Sequence, residues 1–573
     1  MLDCKISGGT VVDGTGTPRR EADVGIRGGR IVAVGDVGED AAREIDARGL
    51  VVAPGFIDIH THYDAQVFWD PALTPSSVHG VTTVVGGNCG FTIAPLVEEA
   101  GEYLMRMLAR VEGMPLESLE QGVPWNWHSF GEYLGKIDGT LAINAGFLVG
   151  HCALRRVVMG EDAVGKEATA AQIEAMANLL AESLQAGGMG FSSTLSPTHN
   201  DGDGNPVPSR YATPEELLAM ARVVREHPGT TLELLPGVGE FSAEHRELMI
   251  RMSLEANRPL NWNVLICQSM MPQLTEAQLA VSDEAAERGA RIVALTLPQT
   301  MTMRINLRTG FLFDTLPGWA EIIGLPLPER IRAFSDPAVR KRLDEGAHSE
   351  AAGLFGFLAN WKNLTVDETF DPRHGGLGGR KVGDIAAEQN KEPFDAMLDL
   401  AVAEELRTSF LTPTFGDDED TWKLRAASWH DERTVIGASD AGAHLDMIDT
   451  FACGTALVGP AVRDRGLMQL EEAVRQLTRV PAELYGLRDR GVLRPGMCAD
   501  IVVFDADTVG VGPLQTRHDL PGGAARLYAD AEGIAHVIVN GEEIVTGREL
   551  TGGTPGTLLR SGRDTDTVSV PGG

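Results

Sequence analysis

Eight short apolar segments recur between residues 56 and 438 of this 573-residue chain. Most are followed by turn residues and then by a helical pattern, and a parallel strand crossover needs a connection of that length. The segments span residues 56–60, 82–85, 143–149, 189–192, 231–235, 260–267, 291–297 and 434–438. They predict an α/β fold containing a (β/α)8 TIM-like barrel, and we number them central strands one to eight.

One helix start is legible in detail. Pro214 at the first helical position follows Thr213, and Glu216 comes three residues after that threonine. This spacing predicts a capping box between Thr213 and Glu216.

Both ends of the chain carry short β-branched runs separated by glycine turns, in residues 3–53 and 499–545. Such runs are typical of strands, and we expect the two ends to pair into one small β-sandwich. The predicted domains are therefore 1–53 and 481–573 for the sandwich and 54–480 for the barrel. We expect the glycine-rich tail after Thr551 to lie along the surface.

About 135 residues separate central strands seven and eight, far more than one helix needs. Residues 353–361, Gly-Leu-Phe-Gly-Phe-Leu-Ala-Asn-Trp, are too apolar for a solvated loop. We interpret residues 300–390 as a helical insertion that folds over the barrel mouth as a lid. An elaboration of the barrel wall is the alternative.

Charge and cysteine usage exclude several classes of partner. A net charge of -32 repels phosphate backbones and anionic lipid, so we expect neither nucleic acid nor a membrane as partner. The six cysteines show no paired spacing, which favours a reducing compartment. With no signal peptide and no apolar run of membrane length, the sequence predicts a cytoplasmic protein, and a homo-oligomer stays open.

Polar residues gather where the central strands end, which is where barrels of this kind build their sites. These candidates, in chain order, are His60, His62, Cys89, His151, Ser193, Glu233, Asn263, Gln299, Asp440 and His444. His60 and His62 lie two apart on a strand, so both imidazoles leave the same face. They can bind a divalent metal such as zinc. Ordinary polar loop residues are the alternative.

Longer motifs carry a resemblance. Residues 53–62, Ala-Pro-Gly-Phe-Ile-Asp-Ile-His-Thr-His, resemble the first-strand motif of the amidohydrolase superfamily. Residues 80–95, 148–155, 384–388, 393–400 and 437–440 narrow the resemblance to the N-acyl-D-amino-acid deacylase (D-aminoacylase) branch. The resemblance implies a metal-dependent hydrolase on a distorted barrel, flanked by a β-sandwich built from both termini.

The same resemblance implies roles for four residues. His60 and His62 are metal ligands, Cys89 is the unusual thiolate ligand of the branch, and Asp440 is the strand-eight aspartate that also serves catalysis. A thiolate is a soft ligand that favours zinc over magnesium, although Cys89 as a small buried hydrophobe is the alternative. Asp440 can move a proton from water to the leaving amine, and a helix N-cap is its alternative.

Other candidates are less defined. His151 and Arg155 stand in a motif of the branch, and His151 is either a ligand or substrate-binding group or a structural hydrogen-bonding histidine. We assign Ser193, Glu233, Asn263, Gln299 and His444 to substrate binding or to support of the ligands.

The chain departs from the branch at two places. Central strands five and six lack the usual metal histidines, so a second metal is doubtful and one zinc held by His60, His62, Asp440 and Cys89 is the simplest site. The branch also holds the substrate carboxylate with an arginine after the strand-eight aspartate and a lysine on strand six. Neither is present here, which favours a bulkier or less charged amide.

The sequence therefore predicts a metal-dependent hydrolase that cleaves a non-peptide carbon–nitrogen bond, an amide, in a small molecule. Hydrolysis of a cyclic amide, carbamate or lactone in the same site is one alternative. A non-catalytic scaffold with the same fold is the other.

Overall fold

The computed structural model describes residues 1–310 and 312–572, and all eight central strands are present in it. Their bounds are Phe56–Asp58, Val81–Gly86, Asn144–Phe147 with Val149–Gly150, Gly190–Thr194, Thr231–Leu235, Leu260–Leu265, Ile292–Thr296 and Thr434–Ile436. Each lies at the predicted place, with ends that differ by a few residues. The α/β class is confirmed.

The central strands are parallel and follow one another in chain order. Strands one to three form one sheet, and the second segment of strand three through strand eight forms another. Strands one and eight meet through a parallel bridge between Thr61 and Ala441, where the His62 amide donates to Ala441 at 2.8 Å. The described ladders thus have the strand order of the expected barrel but form two sheets rather than one closed barrel.

Amphipathic helices cover these sheets and bury their apolar faces against them. Between the strands they are Glu98–Val111, Leu116–Gly122, Phe130–Ile137, His151–Met159, Ala170–Gln185, Pro214–Arg225, Ala243–Ala256, Pro272–Glu287 and Glu419–Trp429. After strand eight they are Cys453–Ala456, the π-helical Leu457–Asp464, Leu470–Leu477 and Arg479–Tyr485. The Thr213 hydroxyl accepts from the Glu216 amide at 3.3 Å. The Glu216 carboxylate does not return the bond, however, so only half of the predicted capping box forms.

Strands from both termini share one nine-stranded sheet. They are Leu2–Val11, Arg20–Arg27, Arg30–Gly35, Ala41–Asp46, Val51–Pro54, Ile501–Phe504, Ile534–Val539, Glu542–Thr546 and Glu549–Leu550. The two ends join where Val51–Pro54 pairs antiparallel with Ile501–Phe504. Two short antiparallel pairs lie in the chain between the strands Ile501–Phe504 and Ile534–Val539 of this sheet. They are Gly510–Val511 with Ala531–Glu532 and Gln515–Arg517 with Arg526–Tyr528.

The insertion is not purely helical, which corrects the sequence-based expectation. Its helices are Ala320–Ile323, Leu327–Ser335, Pro337–Ala347, Val382–Gln389 and Pro393–Ala403. Its strands Arg304–Asn306, Ser409–Leu411 and Thr365–Val366 form an antiparallel sheet. Because the first strand pairs with Ser409–Leu411, the unit continues about twenty residues past 390. It has its own apolar core, in which Trp319, Trp361 and Phe394 contact one another.

The C-terminal tail also differs from expectation, because it is partly buried rather than laid on the surface. Leu558 and Leu559 are fully buried. The Gly556 amide donates to Leu141 at 2.8 Å, and Leu558 bridges to Ala145 beside strand three. The two leucines fill apolar space that the glycine-rich composition did not reveal. Among the described residues, no helix is long and apolar enough to cross a membrane.

His79, just before central strand two, ties that strand to the C-terminal segment. Its buried ring nitrogens lie 2.7 Å from the Thr455 hydroxyl and 3.0 Å from the Ala529 carbonyl oxygen. Burial lowers the pKa of His79 to about 4. In the unfolded chain, His79 is protonated below its ordinary pKa of about 6.5, whereas in the folded protein it stays neutral down to a lower pH.

We predict that this histidine makes the protein less stable in acid. Stability should fall as the pH drops from about 6.5 toward 4, by about 2–3 kcal/mol from this residue alone. Urea unfolding of the wild type and His79→Asn at pH 7 and pH 4.5 measures the difference. The exposed His348→Asn variant should follow the wild type, and an equal loss in the His79 variant would contradict the assignment.

Candidate functional site

Two histidines and an aspartate converge where central strands one and eight end. The Nε2 atoms of His60 and His62 lie 3.6 and 3.0 Å from Asp440 Oδ1. Both histidines are buried, whereas a quarter of the Asp440 side chain is exposed. Asp440 is thus the member of the group that solvent can reach.

Cys89, after central strand two, completes the group. Its Sγ lies 3.5 Å from His60 Nε2, and ligand atoms of Cys89, His60 and His62 all lie within 4.8 Å of one another. Two ligand atoms bound to one tetrahedral zinc ion are about 3.4 Å apart, because each bond is about 2.0–2.3 Å long. The separations of 3.0, 3.5 and 3.6 Å are close to this value, so His60, His62 and Cys89 can hold one divalent metal ion, with Asp440 beside the two histidines.

The residues that stand in place of the absent histidines also lie here. Asn263 Nδ2, from strand six, is 2.9 Å from His60 Nε2. Glu233 Oε2, from strand five, accepts the Cys89 amide at 2.9 Å, while its buried Oε1 has no hydrogen-bond partner among the described residues. A buried carboxylate oxygen without a donor is costly, and a cation beside it would remove that cost.

The charges of the site balance only in part. Burial lowers the pKa of His60 to about 3, which leaves its lone pair free for a metal at neutral pH. Burial by itself also lowers the pKa of His62, but the carboxylates of Glu112 and Asp440 raise it to about 9. For Asp440, burial acts upward, yet the hydrogen bond and charge of His62 hold its pKa below the usual range. Burial raises the pKa of Glu233 to about 8.

Three site residues have a strained backbone. Cys89, Asp440 and His444 adopt φ values of 54°, 57° and 47°, in the left-handed region that side chains other than glycine rarely occupy. Each such residue costs about 1–3 kcal/mol and persists only where surrounding contacts enforce it. Here the His60 carbonyl accepts the Asp440 amide at 3.1 Å. The fold thus aims these side chains at a common point against their local preference.

Two further groups at the site were missed by the strand-end inventory. Glu112, just after the helix Glu98–Val111, places Oε1 3.3 Å from His62 Nδ1, and its charge raises the pKa of His62. Its position at a helix end gives no sequence signal. His199 follows strand four and is bonded at 2.9 Å to Thr194. Burial lowers the pKa of His199 to about 3, with the charges of His444 and His62 acting in the same direction and that of Asp440 opposing them. An inventory extended into the loops would have included it.

The remaining predicted residues form two groups, and Gln299 belongs to neither. Asn263, Glu233 and His444 lie with the histidine pair, and His444 Nε2 is 3.5 Å from Asp440 Oδ2. His151, Arg155 and Ser193 form a separate buried network, described below. Gln299 has a buried Oε1 without a hydrogen-bond partner among the described residues and is not brought to the cluster by any observed bond.

The separate network centres on Glu216. His151 Nε2 and Arg155 Nη1 lie 2.8 and 2.5 Å from Glu216 Oε1, and His151 Nδ1 lies 2.9 Å from the Ser193 hydroxyl. Arg155, Glu216 and His151 are fully buried. Both ring nitrogens of His151 are therefore engaged within the protein, which favours its structural alternative over a ligand role.

These observations define an α/β protein with side chains of metal-ligand type clustered at the carboxyl ends of parallel strands. A family model described as the amidohydrolase family matches residues 43–545. The chain therefore belongs to the amidohydrolase family. The resemblance to its D-aminoacylase-like branch is confirmed, and the chain is an enzyme of the class that hydrolyses carbon–nitrogen bonds other than peptide bonds.

Individual relatives cover almost the whole chain. It is 29% identical to a D-aminoacylase of Alcaligenes xylosoxydans xylosoxydans over 97% of each chain. It is 30% identical to an N-acyl-D-glutamate deacylase of the same organism, over 100% of this chain and 98% of that one. A solved N-acyl-D-glutamate deacylase from Bordetella bronchiseptica, complexed with zinc and a phosphonate inhibitor, matches with a TM-score of 0.64. That match has 27% identity and covers 98% of this chain and 100% of the other.

We predict that the Glu216 network serves stability and not metal binding. Glu216→Ala leaves the buried Arg155 guanidinium without its carboxylate, which should cost about 3–5 kcal/mol. The shift of the urea unfolding transition measures this cost, and the zinc content of the folded protein should not change. Glu215→Ala, at the exposed neighbouring position, is the matched control. Lost zinc with unchanged stability would instead assign the network to the site.

Proposed function

We propose that the protein is a deacylase that hydrolyses the amide of a small N-acylated compound, with one zinc ion held by His60, His62, Cys89 and Asp440. The observation that carries the proposal is the cluster of His60, His62 and Cys89, whose ligand atoms lie within 4.8 Å of one another. Asp440 Oδ1 lies 3.6 and 3.0 Å from the Nε2 atoms of the two histidines. The deacylase relatives, one of them solved with zinc, support the same reaction class. Six free cysteines suit the cytoplasmic location that we propose with it.

The chain's own residues suggest a division of labour. A bound zinc ion would supply Lewis acidity and make a water acidic near pH 7. Asp440, the exposed member of the group, takes the proton from the attacking water and transfers it to the amide nitrogen as the carbon–nitrogen bond breaks. The products are a carboxylate and an amine. Glu112 orients the His62 imidazole from behind, and His444 lies beside the other Asp440 oxygen.

Glu233 and Asn263 lie on central strands five and six, where the expected metal histidines are absent. Neither side chain provides an imidazole, so one tightly held ion is the expected state. Glu233 Oε1 is the oxygen that a further cation would use, because it is buried and without a donor. Metal analysis of the purified protein decides the number of ions.

Metal binding and catalysis should depend on different side chains of the site. The wild type should carry about one zinc per chain, and the His60→Ala, His62→Ala double variant should lose it. Asp440→Asn should lower turnover about 10²–10⁴-fold while most of the zinc remains, because proton transfer fails. His348→Ala, an exposed histidine in the insertion, is the control. A metal-free wild type would favour the scaffold alternative, and an active Asp440→Asn variant would remove Asp440 from the mechanism.

The kind of bond that is cleaved can be tested with a panel of substrates. A panel of small N-acetyl-D-amino acids, bulkier N-acyl amides, cyclic imides, carbamates and lactones should show the highest kcat/KM for linear amides, and among these for the bulkier ones. A cleft of about 710 Å³ beside the site offers room for such a substrate. Selective turnover of the small N-acetyl compounds would contradict the bulky preference. A preference for lactones or cyclic imides would replace the amide by that alternative.

A further inference from the structure

A basic cleft lies between three parts of the chain. The helix Glu98–Val111 with its following loop, the insertion, and residues 516–526 line its volume of about 710 Å³. Seven arginines and four carboxylates belong to the lining, although the whole chain has a net charge of -32. A positive cleft in a strongly negative protein concentrates anions locally.

Three of the cleft arginines have no carboxylate partner in the described part of the chain. No carboxylate oxygen lies within 4.0 Å of Arg308, Arg330 or Arg407. Arg330 donates to backbone carbonyls, at 2.6 Å to that of Arg308, 3.2 Å to that of Leu307 and 3.1 Å to that of Leu325. The Arg407 guanidinium lies over the Phe370 ring at 4.8 Å. Their charges are therefore available to a ligand.

The charge around Arg330 is uncompensated. Burial lowers the pKa of Arg330, and with the like charges of Arg110 and Arg308 acting in the same direction it falls to about 10. Its Nε is buried and has no hydrogen-bond partner among the described residues. A planar anion such as a carboxylate offers two oxygens in the geometry that guanidinium donors match.

The four lining carboxylates are largely committed elsewhere. Asp314 lies 2.7 Å from Arg110, and Glu368 is paired with Arg304. Asp446 accepts from Asn306 and Thr309 at 2.8 and 3.0 Å. Glu117 is the fourth. The Arg308–Arg330 side of the cleft therefore keeps a positive surplus.

The cleft leads toward the proposed catalytic group. A smaller cavity of about 10 Å³, room for about one water, shares Gly113, Arg304 and Asp446 with the cleft and is also lined by His444. His444 in turn lies 3.5 Å from Asp440 Oδ2. The cleft therefore adjoins a small cavity lined by a residue that contacts Asp440.

We propose that the cleft is an anion-binding site in which Arg308 and Arg330 hold a carboxylate of a small molecule whose amide end reaches Asp440. The assignment of the amide rests on the proposed function. Neither arginine occupies strand six or the stretch after Asp440, where the branch holds its substrate carboxylate. Those two positions led us to expect a bulkier or less charged substrate. We now propose a bulkier substrate that carries a carboxylate at the end remote from its amide. The carboxylate product of hydrolysis has the same chemistry and could occupy the same site.

Binding of succinate, a dicarboxylate without an amide, tests the cleft independently of catalysis. Calorimetry on the zinc-loaded full chain should detect binding that weakens with ionic strength. Arg308→Gln and Arg330→Lys should each weaken it about tenfold, since each loses a charge-assisted contact or its fork geometry. Arg308 makes no side-chain bond within the described chain, so its variant should fold normally. Arg332→Gln, an exposed arginine on the same helix as Arg330, is the control.

Two results would overturn the cleft assignment. The wild type could fail to bind succinate, or the two cleft variants could bind it as tightly as the Arg332→Gln control.

A second measurement distinguishes substrate from product. Two amides that differ only in a remote carboxylate or its methyl ester are compared as substrates. If the substrate uses the cleft, Arg308→Gln should raise KM about tenfold more for the acid than for the ester. If the product does, the KM ratio should stay constant while inhibition by added carboxylate product weakens. Either result supports the site. If Arg308→Gln produces neither of these two effects, the site is overturned. An enzyme that cleaves no amide would defeat the proposed function, whereas succinate binding would still decide the cleft.

Discussion

The hydrogen bonds that join the ends of central strands one and eight hold the candidate site together. His62 donates its amide to Ala441, and Asp440 donates its amide to His60. These two bonds fix an aspartate from residue 440 beside histidines from residue 60. Cys89 then arrives from strand two, because parallel neighbours end at the same edge. If this contact were lost, the four proposed ligands would belong to separate loops.

Burial gives this contact its chemical meaning. In water, a histidine pair, a thiol and carboxylates at separations of 3–4 Å would keep pKa values close to their ordinary ones. Inside the protein without a metal, burial lowers the pKa of His60, and the carboxylates of Glu112 and Asp440 raise that of His62, whose proton a zinc ion would have to displace. The left-handed backbones at Cys89 and Asp440 add strain that the surrounding contacts must enforce. A single zinc ion, as we propose, would bind the two imidazoles and the thiolate together.

Family membership favours the enzyme over a scaffold, yet the chain has altered the parts that recognise a substrate. The positions that hold a carboxylate in the branch are not basic here. Arginines without a carboxylate partner among the described residues instead line a cleft, and a small cavity beside it is lined by His444, which contacts Asp440. The insertion contributes Arg308 and Arg330 to that cleft, so this unit bears on specificity whether or not it also acts as a lid.

The amino-acid sequence by itself determined the eight central strands, the histidine pair and the aspartate, because strand periodicity and strand-end residues are local features. It also carried the family motifs. Only the tertiary structure decided that Glu216 leaves its helix cap to pair with Arg155, and that Leu558 and Leu559 fill apolar space beside strand three. It likewise brought Glu112 to His62, and Arg308 to Arg330. These contacts join residues that are distant in sequence or lie on different elements, and their partners are set by packing and charge balance rather than by any local pattern.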